Sequence, residues 1–128
     1  MTSCHRMEHE LSAVYDITHG HGLAILIPRW LTYVMNDDNA WQIKRLGTNV
    51  FGLDDSLSDR EGAEKAIEAL SDFFFKTLGL DSRLSDLGID DKHFRDMAEN
   101  ACKQLGGTLH GFIDLTPDDI VKIYEMCL

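Results

Sequence analysis

An all-α domain is the fold this sequence predicts, and three observations carry that expectation. Apolar residues recur at three- and four-residue spacing along most of the chain, and no segment alternates as a half-buried strand would. Glycines fall mostly between these periodic stretches, where helix stops belong. Hydroxyl and acidic start signals open several of them. A chain of 128 residues, 44% hydrophobic and 27% charged, can bury a sizeable core without disulfides. It suits a single all-helical domain over residues 1–128, a multi-helix bundle of roughly five or six helices.

Residues 4–15 read as a short helix. The next helix is expected from Gly22 to Met35, and Pro28 in its path predicts a kink or a helix start nearby, because proline removes a backbone donor. Asn39, with Gln42 three residues on, is placed to open a helix through Val50. Ser58-Asp59-Arg60-Glu61 has the S-x-x-E capping-box pattern. Behind it Ala63, Ala66, Ile67, Leu70, Phe73, Phe74 and Leu78 share helical spacing, with Gly79 as the stop. Residues 80–90 read as a loop. Asp90 or Asp91 is expected to cap a helix through Leu105, closed by Gly106-Gly107. Thr116-Pro117-Asp118-Asp119 combines a hydroxyl N-cap, proline at the first helical position and acids in the first turn. The terminal helix follows, with Ile120, Val121, Ile123, Tyr124 and Cys127 on its apolar face.

Charge narrows the function. Twelve basic against 22 acidic residues give a net charge of −10, which disfavours phosphate backbones and anionic membranes; nucleic acid and membrane partners are therefore excluded. The longest strongly apolar run, Leu23 to Ile27, is far short of the ~20 residues of a bilayer span. The N-terminus lacks the basic-then-apolar order of a signal peptide. Cys4, Cys102 and Cys127 show neither C-x-x-C spacing nor an even count, so a reducing cytoplasm is the expected setting. Cys4 is read as a packing residue. Trp30, Trp41 and Phe73-Phe74-Phe75 are read as core, and the paired aspartates as turns and caps.

Of six histidines, four fall within residues 5–21: His5, His9, His19 and His21. His5 and His9 are four apart and share one face of a helix. A divalent ion needs several neutral imidazole or carboxylate donors converging at ~2.0–2.2 Å, and a helical pair plus a histidine from the following loop supplies part of such a set. Two other readings remain open at this point. His5-Arg6-Met7-Glu8-His9 matches H-x-x-E-H, the inverted zincin pattern, in which Glu8 would activate water in a small zinc hydrolase. Alternatively the histidines are ordinary hydrogen-bonded side chains of a helical interaction module. His21 is placed either at a cleft mouth or on the surface; His93 and His110 are read as surface residues.

The longer run from His5 through His9 and His19-Gly20-His21-Gly22-Leu23-Ala24 resembles the signature of the iron-containing alcohol dehydrogenases. That family carries H-x-x-x-H followed by His-Gly, with the first and last histidines 14 apart, as His5 and His19 are here (19 − 5 = 14). Ile25-Leu26-Ile27-Pro28 and Leu115-Thr116-Pro117-Asp118-Asp119-Ile120 extend the likeness over essentially the whole chain. The nearest branch is the NAD(P)H-dependent butanol dehydrogenases.

The resemblance implies the C-terminal helical domain of an enzyme that interconverts a primary alcohol and an aldehyde. It implies His5 and His19 as metal ligands, Fe2+ as the metal with Zn2+ as a substitute, and His9 as a catalytic or orienting residue beside metal and nicotinamide. It gives Glu8 no role as a base. In the family an N-terminal dinucleotide-binding domain holds most of NAD(P)H, and an Asp and a third His in D-x-x-x-H complete the metal shell. This chain has neither D-x-x-x-H nor G-x-G-x-x-G. The implied partners are therefore that missing domain and a small alcohol or aldehyde. Alone, the chain is expected to be inactive, to hold metal weakly, and to form a homo-oligomer through an uncovered apolar face.

Overall fold

A computed structural model describes residues 2–103 and 106–128. Six α-helices follow in order: α1 Thr2–Tyr15, α2 His19–Val34, α3 Ala40–Phe51, α4 Asp59–Asp72, α5 Phe94–Lys103 and α6 Pro117–Met126. A π-helical turn at Phe73–Thr77 extends α4, and a 3-10 turn occupies Leu84–Leu87. Among the described residues there is no strand; the sole extended pairing is an antiparallel bridge between Leu109 and Leu115, closed by reciprocal N–H···O bonds of 2.8 and 2.7 Å. The all-α expectation holds, and no helix among the described residues is long and apolar enough to cross a membrane.

Packing is pairwise: α1 on α2, α3 on α4, α5 on α6, with α1 also meeting α5 and α2 meeting α4 and α6. The core they share centres on Met7 and Leu11 of α1, Ile25 and Trp30 of α2, Phe94 and Met97 of α5, and Ile120 and Tyr124 of α6. The Tyr124 ring lies 5.2 Å from that of Phe94, and its hydroxyl donates to the Met7 carbonyl at 2.7 Å. The final helix thus braces the first, between His5 and His9.

The chain departs from its expected element boundaries for identifiable reasons. α2 begins at His19, not Gly22, and runs through Pro28. Two side-chain donors serve carbonyls around the proline: Thr32 Oγ1 to Pro28 O at 2.8 Å and Arg29 Nη1 to Ile25 O at 3.1 Å. Pro28 and its neighbours Ile25, Leu26 and Leu31 are buried, so packing outweighs the lost backbone bond. Asn39 precedes α3 but makes no side-chain cap. Instead it is buried, donating from Nδ2 to Val34 O and accepting the Asn36 N–H, both at 2.8 Å, which fixes the α2–α3 corner. Ser58 does cap α4, accepting the Glu61 N–H at 3.2 Å. The expected α4 stops at Asp72 rather than Leu78. Past Asp72 the helix continues as a π turn, which leaves Phe73 exposed and Phe75 beneath the Arg29 guanidinium. Asp90 accepts the Lys92 N–H in a turn ahead of α5, which starts at Phe94. The predicted end of that helix at Leu105 lies outside the described residues.

Candidate metal centre

The histidine cluster is built by the α1–α2 reversal. α1 closes with the Asp16 N–H donating to Ser12 O at 3.0 Å, and Asp16 turns the chain at φ +56°. Among the described residues it is the one non-glycine with positive φ, a conformation that aspartate tolerates better than most side chains. The Thr18 carbonyl then accepts the Gly22 N–H at 2.9 Å to open α2, which makes His19 a helix residue rather than the loop histidine expected from sequence.

That turn brings His19 back over the face of α1 that carries His5 and His9. The His5 and His19 ring centroids are 5.5 Å apart at 50°; His9 stands edge-on to His19 at 5.6 Å and 89°. All three residues are exposed. His21 is elsewhere, with Nε2 donating to the Asp81 carbonyl at 3.0 Å.

Beneath His19 lies Glu8, the would-be base of the H-x-x-E-H reading. Glu8 is fully buried, and its Oε2 accepts from His19 Nδ1 at 2.9 Å. Ser12 Oγ donates to the same carboxylate, contacting both Oε1 and Oε2, and lies 3.1 Å from the Ile17 carbonyl. A buried carboxylate must be partnered in this way, because an unpaired one costs several kcal/mol or protonates. Glu8 therefore faces inward and is saturated, so the H-x-x-E-H reading lacks a glutamate presented to water. The signal was available: Cys4, Met7, Glu8 and Leu11 occupy the i, i+3, i+4, i+7 positions of the stripe α1 buries, with a charge standing among apolar residues.

Among the described residues, no three His, Cys, Asp or Glu side chains converge closely enough to hold a metal ion by themselves. The chain offers neighbouring imidazoles with one ring anchored from behind, which fits part of a ligand shell.

Other expectations divide. Cys4, Cys102 and Cys127 are buried and free; burial, with the nearby Cys127, pushes the Cys4 thiol up to about 12, so it packs as a neutral thiol. Trp30 is buried and stacks on Phe112 at 5.7 Å and 15°. Trp41 is not core: it is 48% exposed, because Ala40, Ile43 and Gly47 set the buried face of α3 and position 41 lies off it. His93 lies at the surface, part-buried against Tyr15, and His110 is exposed and paired with Asp114 at 2.7 Å.

A helical bundle with a carboxylate-anchored histidine cluster at the junction of its first two helices is the class of protein defined so far. Residues 1–128 match the C-terminal region of the Fe-containing alcohol dehydrogenase family, and the chain belongs to that family. It is 42% identical over 123 residues to the NADH-dependent butanol dehydrogenases B and A of Clostridium acetobutylicum, covering 96% of this chain but only 32% and 31% of theirs. The crystal structure of NADH-dependent butanol dehydrogenase A from Thermotoga maritima superposes with a TM-score of 0.81 at 33% identity, over 98% of this chain and 32% of that one. The chain thus spans about a third of the length of the relatives it matches.

Proposed function

We propose that this chain is the metal-holding helical domain of an iron-dependent alcohol dehydrogenase that interconverts a primary alcohol and an aldehyde with NAD(P)H. The observation that carries the reading is the approach of the His5 and His19 rings to 5.5 Å across the α1–α2 turn, with His19 anchored by Glu8. His5 and His19 would be the metal ligands this chain supplies, for Fe2+ or Zn2+ in its place. The relatives named above are NADH-dependent butanol dehydrogenases about three times as long. In that frame an Asp and a third His, together with the dinucleotide-binding domain, belong to the part of the enzyme this chain does not cover.

A divalent ion held by His5 and His19 would supply Lewis-acid polarisation of the alcohol oxygen, and NAD(P)+ would supply the hydride acceptor. The residues of this chain do the rest. His5 and His19 would present imidazole lone pairs from two helices tied together by the Glu8–His19 hydrogen bond. His9, exposed and edge-on to His19, would hold or relay the alcohol proton through its ring nitrogens. With two protein ligands the isolated chain should bind metal weakly and turn over no butanol.

The test combines binding and complementation. His5→Ala and His19→Ala should each weaken Zn2+ binding to the purified chain, while His93→Ala should not. His9→Ala should spare binding. When the chain is joined to the N-terminal two-thirds of a butanol dehydrogenase relative, His9→Ala should lower NAD(P)-linked butanol oxidation. Clear turnover by the 128-residue chain alone, or Zn2+ affinity indifferent to His5 and His19, overturns the reading.

A further inference from the structure

We infer that Glu8, locked by Ser12, is a positioning residue that holds His19 in its Nδ1–H form and leaves Nε2 as the one nitrogen able to take a divalent cation. The inference rests on the metal-ligand reading of His19 and adds what sets the state of that ligand.

Chemistry forces the direction of the Glu8–His19 hydrogen bond. A carboxylate only accepts, so the 2.9 Å contact between Oε2 and Nδ1 requires the proton on Nδ1. Neutral imidazole left to itself favours the opposite form, with the proton on Nε2; in that state no lone pair remains at the outer end of the ring. Glu8 reverses the preference. It is able to do so because it is itself immobile. The carboxylate is fully buried on α1 and gripped by the Ser12 hydroxyl one helical turn away. It is also roofed by α2 at Gly22, where an added Cβ would fall 2.7 Å from Glu8 Cγ and 2.9 Å from Cδ. The His19 side chain, 49% exposed, then has one ring edge fixed in the protein and the other open to a ligand. Fixing a ligating histidine through its second nitrogen orients the ring and raises its basicity, and loss of such a partner typically weakens metal binding about 10–100-fold.

The experiment uses the whole 15N-labelled chain and two readouts, long-range 1H–15N correlation for the tautomer of each histidine and Co2+ titration for affinity. Spectra are recorded at alkaline pH, where the imidazole signals no longer move. His19 should show the Nδ1–H pattern, in contrast to His21, whose Nε2 is the bonded nitrogen. Glu8→Met should switch His19 to Nε2–H and weaken Co2+ binding by about tenfold or more. Glu8→Gln keeps an acceptor and should retain Nδ1–H. Ser12→Ala, which removes one hydroxyl and spares the fold, should shift His19 partway to Nε2–H, and it decides the matter if Glu8→Met does not fold. An Nε2–H signal for His19 in the unmodified chain, or a tautomer indifferent to Glu8→Met and Ser12→Ala, overturns the proposal. A tautomer that follows Glu8 while Co2+ affinity ignores His19→Ala overturns the ligand reading instead, and the two failures are thereby separate.

Discussion

Gly22 shows how narrowly single residues hold the site. Alanine there would drive its Cβ to 2.7 Å from Glu8 Cγ, and since the carboxylate is enclosed, something must shift. Gly22→Ala should destabilise the chain by about 1–3 kcal/mol, the range for overpacking a filled interior, and should perturb His19 signals before any others. Denaturant unfolding and histidine spectra check both halves. Tyr124 is the second case. Burial holds its hydroxyl far above the ordinary phenol range, so it stays a donor to Met7 O. Tyr124→Phe removes that tie between α6 and α1 and should cost about 0.5–1.5 kcal/mol in urea unfolding. At this scale the sequence was readable where spacing carries meaning: the 14-residue interval between His5 and His19 does bring the two rings together. It was unreadable where facing decides. Trp41 has the composition of a core residue and the wrong angle on α3, and Glu8 drew attention as a would-be base when its position in the buried stripe made it a support.

At the scale of elements, the hydroxyl-capped starts of α4 and α6 were legible, whereas α2 opens three residues before the expected Gly22 and Asn39 does not cap α3. Thr116 forms the full capping box with Asp119: its Oγ1 accepts the Asp119 N–H at 3.3 Å, and Asp119 Oδ2 accepts the Thr116 N–H at 2.9 Å. Thr116→Ala should cost about 1 kcal/mol of stability, measured by thermal or chemical unfolding. Asp119 does more than cap, since its Oδ1 accepts the Tyr33 hydroxyl of α2 at 2.5 Å. Burial by itself would raise the Asp119 carboxyl, but the bonds from Tyr33 and Thr116 prevail and hold it below the usual carboxylate range. Such a depressed group stabilises the fold above the unfolded value of about 3.9 and loses that contribution as pH falls through its folded value. Asp119→Asn should therefore flatten the loss of stability below about pH 4, while leaving its slope near neutrality unchanged; an unaltered acid limb would remove Asp119 from the account. The end of α4 was harder to read than those of α1, α2 and α3, which fall within one residue of expectation. The phenylalanine run at the end of α4 kept helical spacing on paper, yet the chain widens there into a π turn.

For the whole molecule, the share of surface left apolar sets the expectation. Trp41, Leu46, Val50, Phe73, Leu78 and Phe112 are all exposed. Leu46 and Phe112 border a groove of about 420 Å³ that reaches Trp30, Ile43 and Phe74. The isolated chain should accordingly run as a dimer or larger species in light scattering, and a monodisperse monomer would contradict this. The brace from Tyr124 to Met7 reaches further than stability. Every histidine of the cluster lies within residues 5–19, yet α1 is steadied by a helix that begins only at Pro117. A lesion confined to α6 would spare those imidazoles and still slacken the scaffold under them, so it would present as a defect of α1.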